Sequence, residues 1–268
     1  MPMNNRLLRP LQTPGLLDLV PGAAAAYSLR SLSRSYAGPV VTVRRSSDDA
    51  EDSFTASEVS DGTLAAFAGA GDAFVKQWWD QSGNANHAVA PADANEPQIV
   101  DSGVVITEEG KPAIEWPSGA SGQQLVISSA VPAASTIFVA TALSTGTTPF
   151  ISNTVSSGSG YVSFDPEEIR YRTSPTGNYD YNIGSANKQR IVAAFINNLL
   201  SQAVFSNGAV SSDSPQTVEE ITGLSHIGYR PISNWTFEGY FQEAILYESD
   251  LSSQRELLEG QIAWSYSQ

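Results

Sequence analysis

The stretch FEGYFQEAILYESDLSSQRELLEGQIAWSY, from Phe237 to Tyr266, joins a strand pattern to a helix pattern. Its first part is rich in aromatic and aliphatic residues and follows a glycine, as expected of a buried strand. Apolar residues then recur near helical spacing, at Leu257, Leu258, Ile262 and Trp264. Ser252 or Ser253 is a natural N-cap, and Glu256 completes a capping box with Ser253. The chain is therefore predicted to close with a long strand and a C-terminal helix.

The region before Phe237 reads as a series of short strands bounded by Gly, Pro, Asn or Ser. These segments are PAIEW, QQLVI, STIFVATALS, PFISN, GYVSFD, IRYRTS, YDYNIG, QRIVAAFI, SQAVFSNGAV and LSHIGYRP. Asn207-Gly208 is a strong signal for a two-residue hairpin. About eleven antiparallel strands without an internal repeat predict one all-β domain over residues 23–268, a two-sheet jelly-roll sandwich.

Residues 1–22 are predicted to form an extended N-terminal arm. Prolines prevent a continuous helix at Pro2, Pro10, Pro14 and Pro21. The leucines of this segment need a surface to lie on, which is either the domain itself or another subunit. The residues predicted to anchor the arm to a partner are Arg6, Leu7, Leu8, Arg9 and Leu11.

The segment after the arm is predicted to contain two short helices and two strands. AAAAYSLRSLSRS (Ala23 to Ser35) has a helix-like pattern that ends at Gly38-Pro39. VVTVRR alternates as a strand, Thr63 to Phe67 reads as a short helix, and Ala73 to Trp79 reads as a strand.

Composition excludes several classes of protein. The 268 residues carry a net charge of −14, which argues against general nucleic-acid binding. No cysteine is present, so neither a disulfide framework nor a thiolate metal site can form. No apolar run is long enough to span a membrane, and no secretory signal is expected. Residues before Ser46 carry a net +5, which leaves −19 on the remainder and favours docking of the basic segment on an acidic partner. For Arg44 and Arg45 the alternative is a surface ion-pair patch with the acids that follow, Asp48, Asp49, Glu51 and Asp52.

The stretch WWDQSGNANHAV, from Trp78 to Val89, combines an acid, an imidazole and amides. It is interpreted as a structural turn, because Asp80 can accept backbone N–H bonds and Gly83 can adopt an unusual backbone angle. The turn residues are Trp79, Asp80, Gly83, Asn84 and Asn86. The alternative is a Ca²⁺ loop built on Asp80 and nearby carbonyls, although it offers a single carboxylate.

Motifs at both ends of the domain resemble a known family. The C-terminal stretch resembles the last strand and helix of concanavalin A-like, laminin-G-type sandwiches. The first half resembles the catalytic-domain family of α-L-arabinofuranosidase B, through Tyr27 to Arg30, Gly38-Pro39, Val43 to Asp48 and Trp79 to His87. This resemblance covers about residues 23–266. It implies a jelly roll and a carbohydrate ligand, and it also implies a phage-type structural role, because many members of the family resemble phage structural proteins.

The catalytic residues implied by the resemblance do not carry over. Retaining glycosidases need two carboxyl groups about 5 Å apart. Where the resemblance places the acid, this chain reads HIGYRPISN, with Arg230 and no carboxylate. The strand region of the nucleophile holds Glu167 and Glu168 beside Pro166, a turn-like setting. His87 and His226, the two histidines, are assigned to a turn and a strand rather than to general-base roles.

The leading hypothesis is a non-catalytic virion protein of a tailed phage or a gene transfer agent, with no cofactor and no metal. As a head or tail fibre, spike or decoration protein, and as a trimer like many such proteins, it would attach through its arm to other virion proteins. It would be assembled in the bacterial cytoplasm, exposed on the particle and bind host-surface polysaccharide. The predicted glycan-binding residues are Tyr229, Arg230, Asn234 and Trp235, with Tyr171, Tyr179 and Tyr181 as second choices. The alternatives are a purely architectural coat protein, or a glycoside hydrolase that uses Glu238 or Glu243 with Glu168.

Overall fold

A computed structural model of the chain describes residues 14–119, 121–133, 136–143, 148–154, 160–164, 168–172, 178–182, 191–197, 202–207, 209–211 and 221–267. The predicted anchoring residues Arg6, Leu7, Leu8, Arg9 and Leu11 lie outside this part of the chain. None of the helices in the described ranges is long and apolar enough to cross a membrane.

The described residues form mostly antiparallel strands. In chain order the strands are Ala25–Ser28 (β1), Val41–Arg45 (β2), Glu51–Phe54 (β3), Ala73–Trp78 (β4), Ala88–Val89 (β5), Gln98–Asp101 (β6), Val104–Val105 (β7), Thr107–Glu108 (β8), Lys111–Pro112 (β9), Ile114–Trp116 (β10), Leu125–Ala133 (β11), Thr136–Leu143 (β12), Thr148–Ser152 (β13), Tyr161–Phe164 (β14), Glu168–Arg172 (β15), Asn178–Asn182 (β16), Ile191–Asn197 (β17), Gln202–Ser206 (β18), Ala209–Val210 (β19), Thr222–Ile227 (β20), Tyr229–Arg230 (β21), Trp235–Thr236 (β22) and Gly239–Tyr247 (β23). The α-helices are Leu16–Leu19 (α1), Ala56–Ser60 (α2), Thr63–Ala68 (α3) and Arg255–Ser267 (α4), and single 3₁₀ turns cover Asp93–Asn95 and Ser252–Gln254.

The strands make two layers. In the first layer β23 pairs with β1 and β10 along one edge and with β12 along the other, and β17, β18 and β19 follow β12. The second layer runs β5, β11, β20, β13, β14, β15 and β16. Strand β4 pairs with β5 of the second layer and, through β6, reaches the first layer. This arrangement confirms the predicted jelly-roll sandwich.

The main core lies between the layers. Phe241 of β23 packs with ring centroids 5.1 Å from Trp116 of β10 and 6.2 Å from Phe150 of β13, so it contacts both layers. Large buried rings and aliphatic side chains of both layers continue this core. Burial of this much apolar surface is the main stabilising contribution to such a fold.

A smaller core covers the outer face of the first layer. Ile245 and Tyr247 of β23 alternate with inward-facing neighbours and pack against Leu258 and Ile262 of α4. Leu16 of α1 is fully buried in the same cluster. The part of the predicted arm within the described chain, residues 14–22, therefore lies on its own domain.

The short helix predicted over Ala23 to Ser35 is wrong, because Ala25–Ser28 is strand β1. All four residues of β1 are buried. Ala25 and Tyr27 face the core between the layers, whereas Ala26 faces the smaller core under α4. Burial on both faces overrides the helix propensity of alanine, since small side chains fit between a sheet and a helix.

Other local predictions are confirmed. Strand β2 covers Val41–Arg45, helix α3 covers Thr63–Ala68 and strand β4 covers Ala73–Trp78. The hairpin at Asn207 connects β18 to β19, with Ser206 paired to Ala209. The closing helix is present as α4.

Candidate functional site

The predicted glycan-binding residues lie on one small hairpin. Strands β21 and β22 pair Tyr229 with Thr236 and Arg230 with Trp235. The Tyr229 hydroxyl donates a hydrogen bond of 2.8 Å to Oδ1 of Asn234, a residue with a left-handed φ of 51°. The sequence prediction therefore selected side chains that are neighbours in space.

A glycine allows this hairpin to leave the sheet. Gly228 has a φ of +75°, and a Cβ atom at this position would lie 2.2 Å from Nε1 of Trp116. Its backbone N–H donates to Phe150 and its carbonyl accepts from Phe237, both at 2.8 Å. Only glycine combines this conformation with so close an approach to a buried ring. The start of the hairpin is thus fixed against the core.

Arg230 is held between two aromatic rings. Its guanidinium carbon lies 4.2 Å from the ring centroid of Tyr161 and 5.5 Å from that of Trp235. The two rings meet edge to face at 6.4 Å. Arg230 is 7% exposed, whereas Trp235 is 42% exposed. The cation is therefore enclosed by cation–π contacts while one aromatic face remains open to solvent.

Tyr161 belongs to a polar row on the outer face of the second layer. It pairs with Ser152 of β13 and with Arg172 of β15, while the adjacent Val162 points into the core. Side chains of directly paired residues project from the same face of a sheet. Ser152 donates a 2.7 Å hydrogen bond to the carbonyl of Tyr229, which fixes the hairpin above this row. The site is therefore a hairpin lying over a polar sheet face.

Sequence reasoning missed Tyr161 and Arg172, and two of its second choices, Tyr171 and Tyr181, are wrong as surface ligands. Tyr171 and Tyr181 are 1% and 0% exposed, and both lie in the core between the layers, with Tyr179 packed against it. In the segments GYVSFD and IRYRTS, strict alternation separates Tyr161 and Arg172 from Val162 and Tyr171. That alternation was the available signal for the outward-facing residues.

The turn at Asp80 is fully bonded within the protein. The Asp80 carboxylate accepts from the backbone N–H groups of Ala26, Ser82 and Asn86 at 2.8, 2.9 and 3.0 Å. It also accepts from the Ser82 hydroxyl at 2.7 Å. Gly83 adopts the left-handed φ of 92° that the turn needs. Trp79 packs on His87 with ring centroids 4.5 Å apart.

Asn84 and Asn86 bind this turn to the residues just before β1. Nδ2 of Asn84 donates to the carbonyls of Ala23 and Ala24 at 2.9 and 3.1 Å, and Nδ2 of Asn86 donates to Ala24 at 2.9 Å. Both Asp80 oxygens already accept hydrogen bonds, so the geometry is that of a structural turn. Within the described ranges, no group of three or more His, Asp or Glu residues could hold a metal ion.

The solved structures most relevant here are glycosidases. An arabinofuranosidase complexed with arabinofuranosyl-α-1,2-xylobiose matches with a TM-score of 0.66 and 15% identity, over 90% of this chain and 62% of that chain. A GH54 α-L-arabinofuranosidase soaked with a cyclic sulfate inhibitor matches with a TM-score of 0.68 and 14% identity, over the same 90% and 62%. Trypanosoma rangeli sialidase in complex with the inhibitor DANA matches with a TM-score of 0.50 and 14% identity, over 71% of this chain and 31% of that chain.

The chain has the fold of these arabinofuranosidases. The arabinofuranosidase fold confirms, at the level of architecture, the family resemblance seen in the sequence. At 15% identity it establishes the fold alone, and this chain spans 62% of the length of the arabinofuranosidases it matches. No protein-family model matches the chain, and the search of curated proteins finds no match.

Within the arabinofuranosidase fold, Glu243 and Glu168 lie on opposite sides of the sandwich. Glu243 is 0% exposed and faces outward from the first layer, where Ser28 and Arg30 bind it. Glu168 precedes the core residue Ile169 and faces outward from the second layer, 3.4 Å from Arg170. These two carboxylates therefore cannot act on one glycosidic bond.

Glu238 and His226 are engaged in local contacts. Glu238 accepts from the Ser118 hydroxyl at 3.1 Å and from the Gly119 backbone at 3.2 Å. His226 lies on strand β20, as predicted, and its Nδ1 is 2.9 Å from the Ser225 hydroxyl. Burial lowers the pKa of His226 below its usual range, so the ring is held neutral.

Proposed function

We propose that this chain is a non-catalytic carbohydrate-binding protein of a virion or a related particle, which binds host-surface polysaccharide through the hairpin Tyr229–Thr236. The observation that carries the binding role is the exposed ring of Trp235 beside the buried guanidinium of Arg230. A rigid aromatic face next to fixed polar groups is the usual composition of a ligand site.

The surroundings of Trp235 support this role. Asn234 accepts from Tyr229, which leaves its Nδ2 group to donate to a ligand, and Ile232 adds a further exposed apolar surface. Fixing of the hairpin by Gly228 and Ser152 reduces the conformational entropy lost on binding. The solved structures of similar fold include an arabinofuranosidase complexed with arabinofuranosyl-α-1,2-xylobiose, which supports a carbohydrate as the ligand class.

The virion role rests on the sequence resemblance and on the basic, leucine-rich segment of residues 1–13. In this proposal that segment attaches the domain, as a homotrimer, to other particle proteins. Electron microscopy of particles labelled with an antibody to this chain tests the location. Absence of the chain from purified particles would contradict the virion role.

The binding role is tested by comparing the wild-type chain with Trp235→Ala on host cells and their extracted surface polysaccharide. Leu257→Ala is the matched control. Leu257 is 44% exposed and lies on α4, which covers the outer face of the first layer. The proposal expects Trp235→Ala to bind at least about tenfold more weakly, which corresponds to about 1.4 kcal/mol, and Leu257→Ala to bind as the wild type does. Equal binding by both variants contradicts it. Release of reducing sugar in the same samples would instead support a hydrolase.

A further inference from the structure

Arg230 is buried, and it has no carboxylate partner among the described residues. Ion pairs with Asp or Glu hold Arg30, Arg44, Arg45, Arg170, Arg172 and Arg255. Arg34 has no such partner within the described residues either, but it is exposed to water. Arg230 is 7% exposed, so it is the one buried arginine of the described part that lacks a counter-charge.

The hydrogen-bonding groups of Arg230 are also incompletely used. Nη1 donates to the Ser233 hydroxyl at 3.1 Å, and Nε has no acceptor in the described structure. A guanidinium offers five N–H donors. Burial of a cation without a counter-charge and with unused donors is unfavourable, and such groups are normally paired. The rings of Tyr161 and Trp235 compensate only partly, since cation–π contacts provide no hydrogen-bond acceptor.

Neighbouring Arg172 shows how the same sheet face satisfies a buried arginine. Arg172 is 8% exposed, and it donates to the carbonyl of Tyr179 at 3.0 Å and pairs with the carboxylate of Asp180. Arg230 stands over the paired residue Tyr161 without either kind of acceptor. The missing partner is therefore one that the described protein does not supply.

We propose that the hairpin binds acidic sugars, with Arg230 pairing with the carboxylate of a uronic or sialic acid unit. This inference rests on the proposed glycan-binding function and specifies its ligand class. The planar guanidinium matches a carboxylate through two parallel hydrogen bonds. The exposed face of Trp235, on the adjacent strand, packs on the sugar ring that carries the carboxylate.

The net charge of the chain means that a preference for acidic sugars must come from the binding site itself. A net charge of −14 repels polyanions at long range, so general electrostatic attraction cannot explain a preference for acidic glycans. Binding of an acidic polymer then requires a specific cation at the contact. Replacement of Arg230 should remove the preference, whereas replacement of a surface arginine should not.

The test measures binding of the full chain to polygalacturonate and to polysialic acid, each beside its carboxyl-reduced, neutral derivative. Both acids are used because a uronic and a sialic carboxylate would satisfy the same guanidinium, and the two arms distinguish them. The expected result is at least tenfold tighter binding of one acidic polymer than of its reduced form. Arg230→Gln should lose this difference, while Arg34→Gln, which removes an equal but exposed charge, should keep it.

The outcomes separate this inference from the function on which it rests. Equal binding of acidic and reduced polymers, or a preference that survives Arg230→Gln, overturns the acidic-sugar assignment but leaves glycan binding intact. Binding to dextran sulfate with the same dependence on Arg230 also overturns it, because the site would then read charge rather than a carboxylate. Failure to bind any glycan overturns both. Circular dichroism of Arg230→Gln verifies that the variant is folded.

Discussion

Arg30 donates from Nε and Nη2 to the two carboxylate oxygens of Glu243, with both distances at 2.8 Å. Ser28 adds a third hydrogen bond at 2.9 Å, and Glu243 is 0% exposed. This contact joins β1 to β23 on the outer face of the first layer. The glutamate thus contributes to the stability of the fold.

Glu243→Gln is expected to lower the free energy of unfolding by about 3 kcal/mol, because it leaves a partly buried Arg30 without its counter-charge. Urea unfolding followed by tryptophan fluorescence measures the change. Glu238→Gln is the control, since its amide oxygen can still accept from Gly119 or Ser118, and it should cost about 1 kcal/mol or less. A stable Glu243→Gln variant would show that the ion pair contributes little.

Asp80→Ala is expected to destabilise the domain by about 3–4 kcal/mol, since it leaves the buried N–H groups of Ala26 and Asn86 without their acceptor. Asp61→Ala removes a similar but exposed turn contact with Thr63 and should destabilise the domain much less. The two are compared by thermal unfolding. Calcium at 1 mM is expected to leave the wild-type Tm unchanged, and a calcium-dependent rise would revive the metal-loop alternative.

Gly228→Ala is expected to prevent folding or to cost more than about 3 kcal/mol, because strain at φ +75° adds to overlap with Trp116. Gly223→Ala isolates the strain, since Gly223 has a φ of +70° with nothing within 4 Å of the added Cβ. That control should cost about 1–2 kcal/mol. Similar losses for the two variants would contradict the close approach between Gly228 and Trp116.

Leu258→Ala is expected to lower the free energy of unfolding by about 3 kcal/mol, because Leu258 is 0% exposed in the cluster under α4. The adjacent Leu257 is 44% exposed, and Leu257→Ala should change stability by about 0.5 kcal/mol or less. Guanidinium unfolding of the pair measures the difference. Equal effects would mean that α4 does not dock as described.

Acid is expected to destabilise the domain partly through His226. Burial lowers its pKa in the folded chain, so below about pH 6.5 the unfolded chain binds a proton that the folded chain excludes. This part of the stability is present at neutral pH and is lost as the pH falls through the ordinary histidine range. Unfolding at pH 7.0 and 5.5 should therefore show a smaller loss for His226→Gln than for the wild type. An equal loss would remove His226 as the cause.

Sequence patterns predicted the strands and the closing helix well, because each carries a local signal. Alternation marks the strand that contains Tyr161, and apolar residues at helical spacing mark α4. The predicted N-caps Ser252 and Ser253 instead lie in a 3₁₀ turn, and α4 begins at Arg255. The strand at Ala25 could not be predicted locally, since its four buried residues have helix-favouring neighbours and acquire their role only from β23 and α4. Local signals predict the secondary structure that a segment prefers by itself, whereas β1 is a strand because it pairs with β23 and packs under α4.

The candidate site was predictable in composition but not in arrangement. HIGYRPISNW contains Arg230 and Trp235 together, and a short hairpin keeps them adjacent. Tyr161 lies far away in the sequence, and only the register of β13, β14 and β15 places it under the guanidinium. Alternation separates the two faces of each strand, and the register places Tyr161 on the outer face and Tyr171 in the core.

Helices α1 and α4 dock on the outer face of the first layer, opposite the hairpin Tyr229–Thr236. Leu16 and Leu258 share one cluster on the first layer, whereas Trp235 projects from the hairpin over the second. A surface coupling made next to either helix would therefore leave the hairpin that carries Trp235 directed away from the support. For a sensor or a display format, the orientation is already set by the fold, and no linker is needed to turn the domain round.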